Sequence, residues 1–347
     1  MSEGKAYSFA HFSHLLSGSS IGALVRLFFV LRLPVSTVIR LRSIIVAVVL
    51  LAPVRVYQSA RYGRAIDRTR LRQDPVFIIG HWRSGTTYFH QLMSQDAQFG
   101  TIKYFQAQFP HIAVLIAKPG SLLFKYFSRL SLKRPQDNVI MSNATSSEEE
   151  FAIVKIDPVS FIAAWAFTGH WKDQFRRFVL MEGLSENEYL RWQNAYRRVM
   201  KTISYLNPGK PLLLKSPYNT GRIRHILRLF PDAKFVYLHR NKAEVIRSTI
   251  HMHRTFADFA IVGCEDEELV ANVLGSYSDL EEAYLRDRSS IPKGRIVEIA
   301  YENFIADPVE SLAAIYRDLS LPAFESARPA LQSYVEAQRS YRVNEYQ

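Results

Sequence analysis

The chain has 347 residues, 48% hydrophobic and 22% charged, with a formal net charge of +12 and one cysteine, Cys264. That is enough length and apolar content for a large core, and it argues against a disordered or collagen-like chain. The single cysteine excludes an intramolecular disulfide, and no Cys/His cluster has zinc spacing, so a reducing compartment is expected.

Residues 1–72 hold eleven basic side chains, Lys5 and ten Arg, against Glu3 and Asp67, so they carry nine of the twelve net charges. A nucleic-acid binder would spread its basic residues over the main face, and no nucleic-acid partner is expected. A basic, apolar arm suits a membrane surface better. The arm reads GALVRLFFVLRLPVSTVIRLRSIIVAVVLLAPVRVYQ, and its longest uncharged run, 43–54, has 12 residues. A spanning helix needs about 20, and the apolar run starts too far in for a signal peptide. Residues 21–57 are left with three readings: helices packed on the protein's own core, interfacial membrane helices, or an anchor. With no linker, repeat or low-complexity run, the expected plan is a basic helical arm, 1–72, and one α/β domain, 73–347. The lone sequon, Asn143-Ala144-Thr145, is a chance-level match and does not imply secretion.

Residues 76–79 are apolar on both faces, as in a central parallel strand, and residues 84–95 read as the helix that follows. A second strand is expected at 102–105 and helical spacing runs over 111–130. Ser185 and Glu188 form a capping box that opens a helix to about Tyr205, stopped by Asn207-Pro208-Gly209. Residues 212–215 and 234–239 read as strands, with helices at 220–230 and 242–254, the latter opened by Asn241 and Glu244. A last strand is expected at 295–299, and Asp307-Pro308 marks a helix start. Strands alternating with helices predict a P-loop-type, doubly wound, mostly parallel α/β sheet, whose ligands bind at the carboxyl ends of the strands.

The stretch GHWRSGTT, from Gly80 to Thr87, has the G-x-x-x-x-G spacing of a phosphate-binding loop, but Thr86 stands where a nucleotide kinase carries lysine. Gly80 and Gly85 permit close backbone approach to an anion, and the helix start adds amides and a dipole. Arg83, Ser84, Thr86 and Thr87 add a cation and hydroxyl donors. The strand that follows ends in His239-Arg240 rather than an acid, so the site reads as cationic, with no metal expected. Lys215 and Arg240 stand at strand ends that face the same crevice, and Ser248 lies two turns into the next helix.

GHWRSGTTYFHQLM resembles the 5′-phosphosulfate loop of sulfotransferases that use 3′-phosphoadenosine 5′-phosphosulfate (PAPS), and PDAKFVYLHRNKAEVIRST resembles their 3′-phosphate segment. With RPQDN and SSEEEFAI downstream, the chain is similar to a broad bacterial branch of that superfamily over roughly residues 70–345. The resemblance implies PAPS as donor without a metal, with Arg83, Ser84, Gly85, Thr86 and Thr87 on the 5′-phosphosulfate, Arg240 and Ser248 on the 3′-phosphate, and Tyr301 near the nucleotide. It also implies a catalytic cation, Arg83 or Lys215 in the context Lys215-Ser216-Pro217. A hydroxyl acceptor needs a general base. Glu148 is the first candidate and Glu150 the second within Glu148-Glu149-Glu150, while Ser146-Ser147 could instead make the triplet a helix cap. His81 is the runner-up base, and His90 reads as a helix-face histidine. Relatives often continue beyond the final SYRVNEYQ, which bears on adenine-side contacts.

Three functions follow. The first is a PAPS-dependent sulfotransferase acting on a hydroxyl or amine of a small-molecule, hydrophobic or lipid acceptor, with residues 151–171 as a candidate apolar acceptor wall. The others are a P-loop kinase or NTPase, and a non-catalytic membrane-binding relative. The expected location is cytoplasmic, with peripheral contact at the inner membrane face through residues 21–57. The acceptor and the oligomeric state are not readable from the residues.

Overall fold

A computed structural model describes residues 16–33, 36–133, 140–257, 260–261 and 263–338; RPQDN at 134–138 and SYRVNEYQ at 340–347 lie outside them. The strands in chain order are β1 Val76–Gly80, β2 Ser131–Lys133, β3 Ile140–Ser142, β4 Leu213–Lys215, β5 Lys234–His239 and β6 Ile296–Ala300. Four of them form a parallel sheet in the order β4-β1-β5-β6, and β2 and β3 pair as a separate antiparallel ribbon. Alternate side chains of the sheet point to opposite faces. Val76, Ile78, Leu213, Val236 and Leu238 join Phe89, Leu92 and Phe304 on one side. Phe77, Ile79, Leu212, Leu214 and Phe235 join Trp192, Val199 and Ile203 on the other. Both faces are therefore covered, which is why the strands read as continuous apolar runs. Because β4 and β5 flank β1 on opposite sides, the loops leaving all three open at one end of the sheet.

Most of the predicted elements form. The Ser185 hydroxyl accepts from the Glu188 amide at 3.3 Å, and the Glu188 carboxylate accepts from the Ser185 amide at 3.0 Å, opening helix Glu186–Leu206. Asp307 caps helix Pro308–Asp318 by accepting from the Glu310 amide. Asn241 accepts from the amides of Ala243 and Glu244, but the Glu244 carboxylate turns to Arg240 instead of closing a capping box.

Three expectations are corrected. Residues 102–105 are not a strand: only Gly100 bridges Leu212 and Lys103 bridges Ser146, and the Lys103 amide, bonded to Gln106, starts helix Tyr104–Gln108. The span 111–130 is not one helix; it divides into Pro110–Ile112, Ala113–Ala117 and Leu122–Phe127, broken where Gly120 adopts φ +85°. The helix expected at 220–230 is a 3-10 turn, Pro217–Gly221, followed by Ile223–Leu229.

The N-terminal helices Ile21–Val30, Arg42–Leu50 and Ala52–Arg68 lie against the domain. Leu24, Leu27, Leu31, Leu41, Ile44 and Val48 share a cluster with Phe161, Phe167 and Trp171. Arg26 pairs with Asp157 at 2.9 Å. Among the described residues no single helix is long and apolar enough to cross a membrane, although the pair Arg42–Leu50 and Ala52–Arg68, bent by 43°, passes together by length and composition.

Candidate active site

The loop after β1 is shaped by its glycines. Gly80 has φ +146° and Gly85 φ +92°, and a Cβ on Gly80 would sit 2.3 Å from the Leu238 carbonyl oxygen. Arg83, without a glycine's freedom, is also held at φ +67°. A left-handed arginine in a phosphate-type loop is strain of the kind kept at functional positions. The fold secures this turn from elsewhere. Thr220 accepts from the Gly80 amide and donates to the Gly80 carbonyl, both at 2.9 Å, and the Ser84 hydroxyl donates to the His81 carbonyl at 2.8 Å. Helix Thr86–Met93 then begins at Gly85 without a side-chain cap, so its first amides are not satisfied by a capping residue.

The distant candidates gather round this loop. Arg83 Nε donates to Ser248 Oγ at 2.9 Å, joining the loop to the helix that follows β5. The Tyr301 ring lies on Gly85, where an added Cβ would meet its Cδ2 at 2.3 Å. The Arg240 guanidinium stacks over that ring at 4.5 Å and pairs with Glu244 at 2.6 Å, while its Nε is buried with no partner. Lys215, 3% exposed, ends β4; its ammonium donates to Thr87 Oγ1 at 3.3 Å and forms an ion pair with Glu148.

Three adjacent carboxylates have three environments. Glu148 is the partly accessible one, at the Lys215 ammonium. Glu149 is fully buried and accepts from Asn219 Nδ2 at 2.6 Å, leaving its other oxygen without a partner. Burial in the absence of a paired cation pushes its pKa up to about 7. Glu150, also fully buried, takes both arms of Arg222 at 2.6 and 2.9 Å and the Ser160 hydroxyl at 2.6 Å. Helix Glu150–Ile156 is not capped by the serines. Ser146 instead bonds Gln91, Thr101 and Lys103.

The histidines differ as well. His81 Nδ1 lies 3.0 Å from the Trp82 carbonyl, which assigns it the proton, and desolvation holds the ring at about 4. His90 is fully buried and held well below the ordinary range, first by desolvation and then by Lys215 and Lys103. Residues 161–167 are buried under the arm helices, and Trp82 of the loop packs on Phe161 at 5.8 Å and on Tyr218 at 5.4 Å. A cavity of about 460 Å³ between helices Trp171–Phe178 and Asp266–Asp287 shares no lining residue with the loop, Glu148, Lys215 or Arg240.

Thr220, Asn219 and Arg222 were not singled out by motif reading. Their one signal is position: a polar run, KSPYNTGR, directly after a buried strand, where sites in such sheets lie. Among the described residues no group of three His, Cys, Asp or Glu side chains converges as metal ligands would.

The fold and site define a P-loop-like α/β transferase with a cationic anion cradle. The profile of the sulfotransferase family matches residues 75–326, and the chain belongs to that family of sulfuryl-transferring enzymes. Its curated relatives include the omega-hydroxy-beta-dihydromenaquinone-9 sulfotransferases Stf3 of Mycobacterium bovis and Mycobacterium tuberculosis. Each is 29% identical over 299 residues, covering 84% of this chain and 74% of the relative. The fold is similar to that of the sulfotransferase STF1 of M. tuberculosis H37Rv, with a TM-score of 0.61, 18% identity, and coverage of 81% of this chain and 76% of that one. It is also similar to STF9 of Mycobacterium avium, with a TM-score of 0.60, 17% identity, and coverage of 85% and 75%.

Proposed function

We propose that the chain transfers the sulfuryl group of PAPS to a hydroxyl on an apolar, lipid-like acceptor, with Glu148 as general base and Lys215 as catalytic cation. The observation that carries the assignment is the Lys215 ammonium, which spans Thr87 at the loop helix and the Glu148 carboxylate. A base and a cation thus meet at the mouth of an anion cradle. The residues fit the donor: Gly80 and Gly85 open the backbone where a Cβ would clash, and Arg240 keeps an orphaned, buried Nε toward an anionic partner. Arg83, Ser84, Gly85, Thr86 and Thr87 would hold the 5′-phosphosulfate, Arg240 and Ser248 the 3′-phosphate, and Tyr301 would support Arg240 from below. PAPS, when bound, supplies the sulfuryl group and a bisphosphate leaving group.

Glu148 would take the proton of the acceptor hydroxyl, freeing the acceptor oxygen for attack on the sulfuryl group that the bound donor would supply. Lys215 and Arg83 stabilise the negative charge that grows on the departing phosphate oxygen. Lys215 also orients Glu148. Glu150 serves as a structural anchor for Arg222, and His81, with its proton on Nδ1, keeps Nε2 buried without a hydrogen-bond partner. The lipid-like acceptor is supported by the two Stf3 relatives, whose name specifies a hydroxylated menaquinone, and by the apolar arm that covers residues 161–167.

The test is calorimetric titration with adenosine 3′,5′-bisphosphate, then incubation with radiolabelled PAPS and either membrane lipid extract or soluble sugars. Metal-independent bisphosphate binding, weakened roughly tenfold or more in Arg240→Ala, and label in the organic phase are expected. Label confined to sugars would overturn the lipid acceptor. Unchanged affinity in Arg240→Ala would overturn its role at the 3′-phosphate.

A further inference from the structure

We infer that the arm and helix Leu122–Phe127 form one composite docking face for the surface of an anionic lipid bilayer. This deepens the lipid-acceptor reading and rests on it for its purpose, though not for its evidence. The arm is apolar on two sides. Its inner side chains fill the cluster under residues 161–167, while Ile21, Val25, Ile39, Val46, Leu50 and Val56 remain exposed and Phe29 is 79% exposed. A helix that is apolar both towards its core and towards the outside requires a second apolar medium.

The second segment comes from far along the chain. Leu123 and Phe127 share one apolar cluster with Leu51 and Val54 of the arm. On the outer side of the same short helix Leu122 is 83% exposed, and Tyr126 and Lys125 are exposed too. The exposed residues Leu50 and Val56 of the arm and Leu122 and Tyr126 of the helix therefore stand on two segments joined through one cluster, and this junction is the seam of the face.

Charge selects the occupant. No Asp or Glu occurs between Glu3 and Asp67, and none between Asp96 and Asp137. These two acid-free stretches, separate in sequence, are the ones that meet at the seam. Exposed Arg26, Arg32, Arg42, Arg61 and Arg64 border the apolar residues on the arm, and Lys118, Lys125 and Arg129 do so on the other segment. Apolar side chains inserted among cations complement an interface of acyl chains beneath anionic headgroups. A second copy of this chain would bring the same excess of cations against its own. The inner packing of Ile44, Val48, Tyr62 and Ile66 keeps the bent helix pair on the protein, so the face lies on the bilayer rather than crossing it.

The experiment is flotation of the full chain with phosphatidylcholine vesicles and with mixed phosphatidylcholine–phosphatidylglycerol vesicles. Partition into the anionic vesicles should exceed the neutral ones by about tenfold or more and fall with added salt. The double variant Leu122→Glu/Tyr126→Glu, remote in sequence from the arm, should lose about tenfold, as should Phe29→Glu, each with bisphosphate affinity unchanged. Equal partition of the double variant and the parent would overturn the composite face, as would equal binding to neutral vesicles. A vesicle-independent dimer that Leu122→Glu dissociates would assign the face to a second copy. Sulfation of a detergent-dispersed alcohol by the double variant reads the acceptor proposal separately.

Discussion

Glu148, Glu149 and Glu150 show how little a residue's identity says about its chemistry. Lys215 faces the first, Asn219 the second and Arg222 the third. Glu148→Gln should lower turnover roughly 10²- to 10⁴-fold with bisphosphate binding and melting temperature intact, as removal of a general base requires. Glu150→Gln should instead cost roughly 3–5 kcal/mol of stability in a denaturant titration, because Arg222 would be left buried and uncompensated. Lost turnover with full stability in Glu150→Gln would exchange the two roles. Glu149 gives a pH prediction. Its folded-state pKa is raised from 4.5 to about 7, so the folded protein holds this proton more tightly than the unfolded chain. That contribution is complete below about 4.5 and is lost as pH rises through about 7. Glu149→Gln should therefore match the parent in stability near pH 4 and exceed it at pH 8 by on the order of 3 kcal/mol, read as a difference between paired unfolding curves.

Among the elements, the β1 loop and the start of β6's following helix make one unit. Gly85 is where they touch, and it combines a left-handed backbone with a ring that leaves no room for a methyl group. Gly85→Ala should cost about 1–3 kcal/mol of stability and displace Tyr301 from under Arg240. Bisphosphate affinity should then fall, and calorimetry would show it; an unaltered affinity would mean that the Tyr301–Arg240 stack does not support the nucleotide. The same scale explains which elements were legible. Strands 76–79 and 234–239 and the Ser185 helix stood out because apolar periodicity and local capping are short-range. The 102–105 segment differs because Tyr104 and Phe105 begin a helix while Ile102 joins the core, with strand-like bridges only at Gly100 and Lys103. Gly120 is a break that helical spacing over 111–130 passed over.

At the scale of the whole molecule, the arm is part of the core as well as a candidate docking face. Leu24, Leu27, Leu31, Leu41, Ile44 and Val48 are all buried against the domain. At about 1.5–3 kcal/mol for each buried aliphatic side chain, their loss is comparable to the whole stability of an ordinary domain. Deletion of residues 1–57 should therefore leave a chain that aggregates or unfolds, seen as loss of cooperative thermal unfolding. A deletion that stays monomeric with the parent's melting temperature would show the arm to be dispensable for the fold. Vesicle binding is thus better probed with Leu122→Glu/Tyr126→Glu than with truncation.

The residues alone determined the sheet type, the glycine-spaced loop after the first strand, the strand-end cations and the basic bias of the arm, because each is written in spacing, periodicity or local charge. With the family resemblance they also offered Arg83, Lys215, Arg240, Ser248, Tyr301 and the acids Glu148 to Glu150 as candidate site residues. Only the tertiary structure decided that Arg83 grips Ser248, that Tyr301 lies on Gly85, and that Glu148 is the acid of the three held at Lys215. The arm's two apolar sides and the second acid-free segment that meets it were settled in the same way. The physical reason is common to all of these: a side chain's environment is set by partners that lie far away in sequence, and no local pattern records which of them will arrive.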